Sequence, residues 1–259
     1  MKKIIHISFF CLLGLFSCNS EKTDTNNNLE KPNSKAFPVV IDTIDFGGFD
    51  YYGNKDEITW QSTANYHFFY IGPHRDTLII NHRLSYSPPP PPPNFDSSKH
   101  KVPEYINPLE SYYLDWLEER NYQRWDSAKI EIKIDTTTII NNSYPVVLTN
   151  NESDTIFIGY GHYIPIIMEA KDSIGVWQPI QEQFVYTCGN GVGSIILPPE
   201  EIILTSARIF KGTYQTNLRL TIGNNSSKEF KGSIHYRQFE SMFTEQGDYK
   251  EEYKKEMKK

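Results

Sequence analysis

From Phe37 onward the apolar residues of this 259-residue chain come in short runs rich in Val, Ile, Tyr and Phe, each broken by Gly, Pro, Asn or Asp. That patterning constrains the fold more than any other feature. A helix needs an apolar stripe recurring over roughly ten residues or more, whereas a strand needs only about four to eight residues between turn signals. Segments 38–44, 66–71, 76–84, 130–134, 144–148, 194–197 and 218–222 fit the second description. The chain is therefore expected to be mainly all-β.

One segment departs from the pattern. Asn107-Pro108-Leu109-Glu110 combines a capping residue, a proline at the first helical position and an acid in the first turn, and Leu109, Tyr113, Trp116 and Leu117 recur at helical spacing. A helix is predicted over 108–120. A partial repeat also appears: Tyr66-HFFYIGPHR-Asp76-Thr77-LII lies over Tyr144-PVVLTNNES-Asp154-Thr155-IFI at an offset of 78 residues. Two comparable β-units are expected from it. Between the copies run the six prolines Pro88 to Pro93, a stiff polyproline II spacer of about 19 Å.

The amino terminus reads Met1-Lys2-Lys3, an apolar stretch from Ile4 to Phe16, then Ser17 and Cys18. Basic, apolar and small residues in that order make a secretory signal, and the apolar stretch is shorter than the roughly 20 residues of a spanning helix. Leu15-Phe16-Ser17-Cys18 resembles the bacterial lipobox. The resemblance implies cleavage before Cys18, acyl chains on its sulfur and a mature chain of 242 residues with a formal charge of −8. Asn19, in place of an aspartate after the cysteine, points to the outer membrane by the sorting habit of lipoproteins. Residues 18–36 are polar and without apolar periodicity, a flexible tether. The acidic balance argues against a nucleic-acid partner.

With Cys18 lipidated, Cys188 is the one remaining cysteine, so no intrachain disulfide is expected. Cys188-Gly-Asn-Gly-Val-Gly-Ser194 is the most unusual stretch, and His162 or His235 would have to supply a base if Cys188 were a hydrolase nucleophile. A buried thiol in a turn is the favoured reading. The histidines show no HxH or HExxH spacing and no acidic calcium loop occurs, so neither metal nor cofactor is implied. No catalytic set is recognised. Aromatic residues make up 14% of the chain; Trp60, Trp116 and Trp125 would stack on sugars if they stood in a row on one face.

Gly212-Thr213-Tyr214-Gln215-Thr216-Asn217-Leu218-Arg219-Leu220 is similar to strand F of immunoglobulin-like domains. The resemblance makes Tyr214 a tyrosine corner and Trp177 the buried tryptophan of a disulfide-free sandwich. Together with Met168-Glu169-Ala170-Lys171, Trp177-Gln178-Pro179-Ile180, Cys188-Gly189-Asn190-Gly191, Leu197-Pro198-Pro199-Glu200 and Phe230-Lys231-Gly232-Ser233-Ile234, it resembles the C-terminal domain of a group of bacterial lipoproteins of uncharacterised function.

The expected order is a signal peptide over 1–17, the tether over 18–36, a β-rich domain with polyproline loop and helix over 37–135, an immunoglobulin-like β-sandwich over 136–240 and a charged tail over 241–259. The expected function is that of a non-catalytic, lipid-anchored envelope protein that engages another envelope protein. A glycan-binding lipoprotein and a hydrolase centred on Cys188 are the alternatives.

Overall fold

A computed structural model describes residues 36–43, 58–80, 109–114, 118–140, 142–184 and 192–256. In the first half the strands are β1 (Val39–Asp42), β2 (Ser62–Thr63), β3 (Tyr66–His67), β4 (Tyr70–Gly72), β5 (Thr77–Ile80), β6 (Tyr113–Leu114), β7 (Gln123–Arg124) and β8 (Ile130–Ile134). In the second half they are β9 (Ser143–Asn150), β10 (Ile156–Tyr160), β11 (Tyr163–Ile164), β12 (Ile167–Lys171), β13 (Trp177–Pro179), β14 (Gln181–Glu182), β15 (Ser194–Leu197), β16 (Ile202–Arg208), β17 (Tyr214–Ile222), β18 (Asn225–Ser226) and β19 (Phe230–Ile234). A short helix, α1 (Glu251–Glu256), follows them. The fold is all-β and sandwich-like.

Its longest ladder is β9 against β16, antiparallel and in register from Ser143↔Arg208 to Thr149↔Ile202. β4 flanks β16 and β8 flanks β9, giving the antiparallel order β4-β16-β9-β8. Pro145 is tolerated inside this central strand because the Asp135 N–H donates to the Pro145 carbonyl just past the end of β8 (3.1 Å), so the proline's missing donor falls where the neighbouring strand stops. A second sheet runs β3-β11-β10-β15-β6 with β7 also on β10, and a third runs β13-β12-β17-β18 with β19 on β17. Two parallel pairs, β1-β5 and β2-β14, complete the set.

The inner faces of the three larger sheets share one core. Val146, Leu148 and Ile203 meet Ile156, Ile158 and Ile195 of the second sheet and Met168, Leu218 and Leu220 of the third. On its opposite face the β9–β16 ladder contributes Val147, Ile202 and Leu204 to a smaller cluster with Leu78 and Ile80 of β5. Both faces of the ladder are thus buried, which is why its sequence reads as unbroken apolar runs rather than as alternation.

Three expectations are corrected. The boundary at 135/136 does not separate domains, because strands from either side alternate within the sheets and Lys35–Lys259 cluster as one unit. The two copies of the partial repeat do not form equivalent hairpins: β9 and β10 pair with strands of different sheets, and β5 pairs with β1. In place of the helix over 108–120, Glu110–Tyr112 make one 3₁₀ turn, Tyr113–Leu114 pair with β15, and Glu119–Asn121 make another 3₁₀ turn. Cross-strand pairing with Ser194 and Ile195 outweighs the local helical preference there.

Leu148 sits at the centre of this arrangement, opposite Ile203 on one side and Ile132 on the other, and is fully buried. Leu148→Ala is expected to cost about 2–5 kcal/mol. Urea unfolding followed by circular dichroism and tryptophan fluorescence should show one lowered transition shared by both halves; two separated transitions would argue for two domains.

Candidate functional site

The outer face of the β9–β16 ladder changes character along its length. Ile202 and Leu204 give way, every second residue, to Ser206 and Arg208, and Val147 gives way to Pro145 and Ser143. At this polar end the ladder faces the parallel pair β2-β14, which brings Ser62, Thr63 and Gln181, with Asn65 and Tyr66 just beyond. Residues 242–253 close the remaining side. The result is a cavity of about 530 Å³, within the roughly 300–1,000 Å³ of small-ligand sites.

Gln181 fixes one wall. Its Oε1 accepts from the Tyr66 hydroxyl (2.7 Å) and from the Met168 N–H (2.9 Å). Burial pushes the Tyr66 phenol far above its ordinary value, so it remains a neutral donor. Two other lining groups differ: the Ser143 hydroxyl and the Asn65 side-chain carbonyl are buried and meet no hydrogen-bonding group of the protein. Leaving a buried polar atom unsatisfied costs about 1–3 kcal/mol, and these two atoms carry that cost in the cavity wall.

The segment closing the cavity is the one expected as a charged tail. Phe243 and Tyr249 form an isolated bridge around a turn at Gly247, whose φ of +84° suits glycine, and α1 follows. Phe243 stacks on Tyr249 (centroids 4.7 Å apart), and Tyr249 on Tyr253 (5.2 Å). Trp60 then clasps the strap from the first half of the chain. Its indole N–H donates to Glu256 (2.8 Å), Arg237 lies over its ring (4.4 Å) and pairs with Glu256 (2.6 Å), and Tyr253 meets it edge-on (6.0 Å). Ser241 also donates to Glu182 of β14.

This placement removes Trp60 and Trp125 from the stacking row expected of the tryptophans. Trp60 is buried in the clasp; Trp125 is buried against Phe157 (5.1 Å) with Arg124 over its ring (4.4 Å). Trp116 lies outside the described residues, as do Cys18, the polyproline run and Cys188. Trp177 is not the buried tryptophan of a sandwich: it is half-buried on strand β13, with Arg219 and Lys171 at 4.3 and 4.8 Å from its ring. Tyr214 forms no corner with its own chain entry; its hydroxyl donates across the sheet to the Lys171 carbonyl (3.2 Å), which Thr216 also reaches (2.6 Å).

Of the two histidines considered as bases, His162 stacks on His67 (4.8 Å), and His235 opens a 3₁₀ turn with Gln238. Gly159 permits the first arrangement, since a Cβ there would run into the Tyr163 backbone where β10 turns back into β11. Burial, reinforced by His162, pushes the His67 imidazole down to about 3, and burial lowers His162 as well. Among the described residues no group of three His, Cys, Asp or Glu side chains is placed to hold a metal ion.

The lining residues Asn65, Ser143, Gln181 and Ser206 were not singled out from the sequence. One signal was there: in Ile202-x-Leu204-x-Ser206-x-Arg208, polar residues occupy the phase of the apolar ones. No family model, curated protein or solved structure matches the chain.

Two outcomes are expected. Between about pH 6.5 and about pH 3 unfolded His67 binds a proton that the folded side chain does not. Stability should therefore fall as the pH drops through that window, by up to about 1.4 kcal/mol per pH unit from this residue. Chemical denaturation across the window should show a shallower fall for His67→Phe than for wild type; identical slopes would refute the assignment. Trp60→Phe, which deletes the donor to Glu256, should speed tryptic cleavage at Lys250, Lys254 and Lys255 several-fold while the β-sheet circular dichroism is retained; an unchanged cleavage rate would contradict the clasp.

Proposed function

We propose that the chain is a non-catalytic bacterial lipoprotein, held at the outer membrane by acyl chains on Cys18, and that its folded unit works there by binding. The basic and apolar leader ending in Leu15-Phe16-Ser17-Cys18 supports the anchor. One observation carries the binding function: the buried Ser143 hydroxyl and Asn65 carbonyl in the cavity wall have no partner within the protein. A chain gains nothing in stability from such atoms, whereas a small turn of either side chain toward a molecule in the cavity would satisfy them.

A second reading, engagement of another envelope protein, is favoured by the β1-β5 ribbon. Its inner face packs Leu78 and Ile80 into the smaller cluster, while Val39, Ile41 and Ile79 are 60%, 43% and 61% exposed on the other face. Val39 and Ile41 lie opposite Thr77 and Ile79 in register, so the three apolar side chains adjoin. Contiguous exposed apolar surface of this kind suits a partner protein.

Palmitate labelling of cells should mark the wild type and not Cys18→Ala, with only the former sedimenting with outer membranes; an unlabelled wild type would refute the anchor. Native mass spectrometry of the full-length lipoprotein, released in a polyoxyethylene detergent, tests the binding. A small molecule should accompany the wild type and be lost from Thr63→Trp, a substitution that fills the cavity from an exposed lining position. A mass difference between the two proteins equal to the Thr63→Trp exchange alone would contradict binding in the cavity. For the second reading, a crosslinked protein adduct formed in intact cells should disappear in Ile79→Lys; its persistence would remove the ribbon from consideration.

A further inference from the structure

Resting on the reading of the cavity as a binding site, we infer that its ligand is a neutral saccharide of one or two rings, recognised through its hydroxyls. The described lining offers uncharged hydrogen-bonding groups, the hydroxyls of Ser62, Thr63, Ser143 and Ser206 and the Asn65 amide, and includes no carboxylate. Arg208 is the one charged side chain among the described lining residues. It sits directly opposite Ser143 in the ladder, where facing side chains start about 4.5–5.5 Å apart.

The two unsatisfied atoms discriminate between ligand classes. The Asn65 Oδ1 can only accept, so the ligand must carry a donor; the Ser143 hydroxyl both donates and accepts. A bare carboxylate or phosphate would leave the Asn65 oxygen unmet, and an apolar ligand would leave both unmet. Neighbouring sugar hydroxyls answer both requirements at once, because each is a donor and an acceptor.

The remaining walls suit the other property of a sugar, its flat C–H face. Phe184, Tyr249 and Tyr253 bring aromatic rings to the cavity, and Ile58 and Met242 add aliphatic surface. Phe184 is held by stacking on Tyr163 (4.2 Å, 10° between planes), and the tyrosines are held by their own stack. Burial, and then the neighbouring Tyr249, pushes the Tyr253 phenol above its ordinary value, so at neutral pH it remains a protonated donor. Three wall residues, Met242, Tyr249 and Tyr253, belong to the strap, so their position depends on the clasp at Trp60.

The test uses the full-length lipoprotein in a polyoxyethylene detergent, since maltoside detergents would compete. Neutral hexoses, pentoses, N-acetylhexosamines and their disaccharides are screened by saturation-transfer NMR beside hexuronic acids and short peptides, and the best binder is titrated calorimetrically. A neutral saccharide is expected to lead, with its affinity reduced roughly tenfold in Ser143→Ala and abolished in Thr63→Trp. Thr63→Trp alters an exposed position and decides the matter if Ser143→Ala fails to fold. A hexuronic acid or peptide as the leading binder, lost in Thr63→Trp, would overturn the saccharide while leaving the cavity a binding site. No binder in any arm, or saccharide binding unchanged in Thr63→Trp, would overturn the saccharide; no retained molecule in the native mass spectrum would remove the binding reading too.

Discussion

Everything described depends on one ladder, β9 against β16. Seven residue pairs hold it in register, and both of its faces are covered. One face supplies Val146, Leu148, Ile203 and Ala207 to the main core. The other supplies Val147, Ile202 and Leu204 to the cluster that seats the β1-β5 ribbon. Because side chains alternate strictly, a one-residue slip would put Ser206 and Arg208 in the core and Ile203 and Ala207 outside it. The register is thus fixed from both faces, and β4 and β8, which come from the first half of the chain, flank the ladder on either edge.

The same alternation places the cavity. Where the apolar phase of β16 ends at Leu204, Ser206 and Arg208 continue it, and Ser143 answers them from β9. A ladder that was apolar throughout would simply have been capped by more core. The polar end is instead faced by the short pair β2-β14 and roofed by the strap, with Gln181 tying the floor to Met168 and Tyr66. Electrostatics keep the roof in place: a segment rich in charge folds down because an indole N–H and an arginine share the Glu256 carboxylate, a charge-assisted arrangement stronger than an exposed ion pair alone.

Strand locations were legible in the sequence where the apolar run was itself the strand. Ile130–Ile134 and Ser194–Leu197 form strands with the expected limits, and the runs at 144–148 and 218–222 lie inside longer strands. Partnership was not legible, because pairing joins residues far apart in the chain, as Ile71 with Ile203 or Tyr66 with Ile164. The segment around Tyr113 shows the cost of judging locally: its helical spacing is real, yet pairing with Ile195 makes it a strand. Tryptophan positions misled for a related reason, since abundance of large rings says nothing of whether they face solvent, and Trp60 and Trp125 are buried. The cavity left only a faint trace, two polar residues in an apolar phase, and its roof came from the segment expected only as a charged tail.

Native-state hydrogen exchange on the full-length lipoprotein tests the shared ladder most directly. If β9 and β16 bind both halves into one unit, the ladder amides of β4 and β8 should exchange as slowly as those of Ser143–Asn150 and Ile202–Arg208, and all should move together as denaturant is added. Early, independent exchange of β4 and β8 while the β9–β16 amides stay protected would contradict that account and return the chain to two separately folding halves.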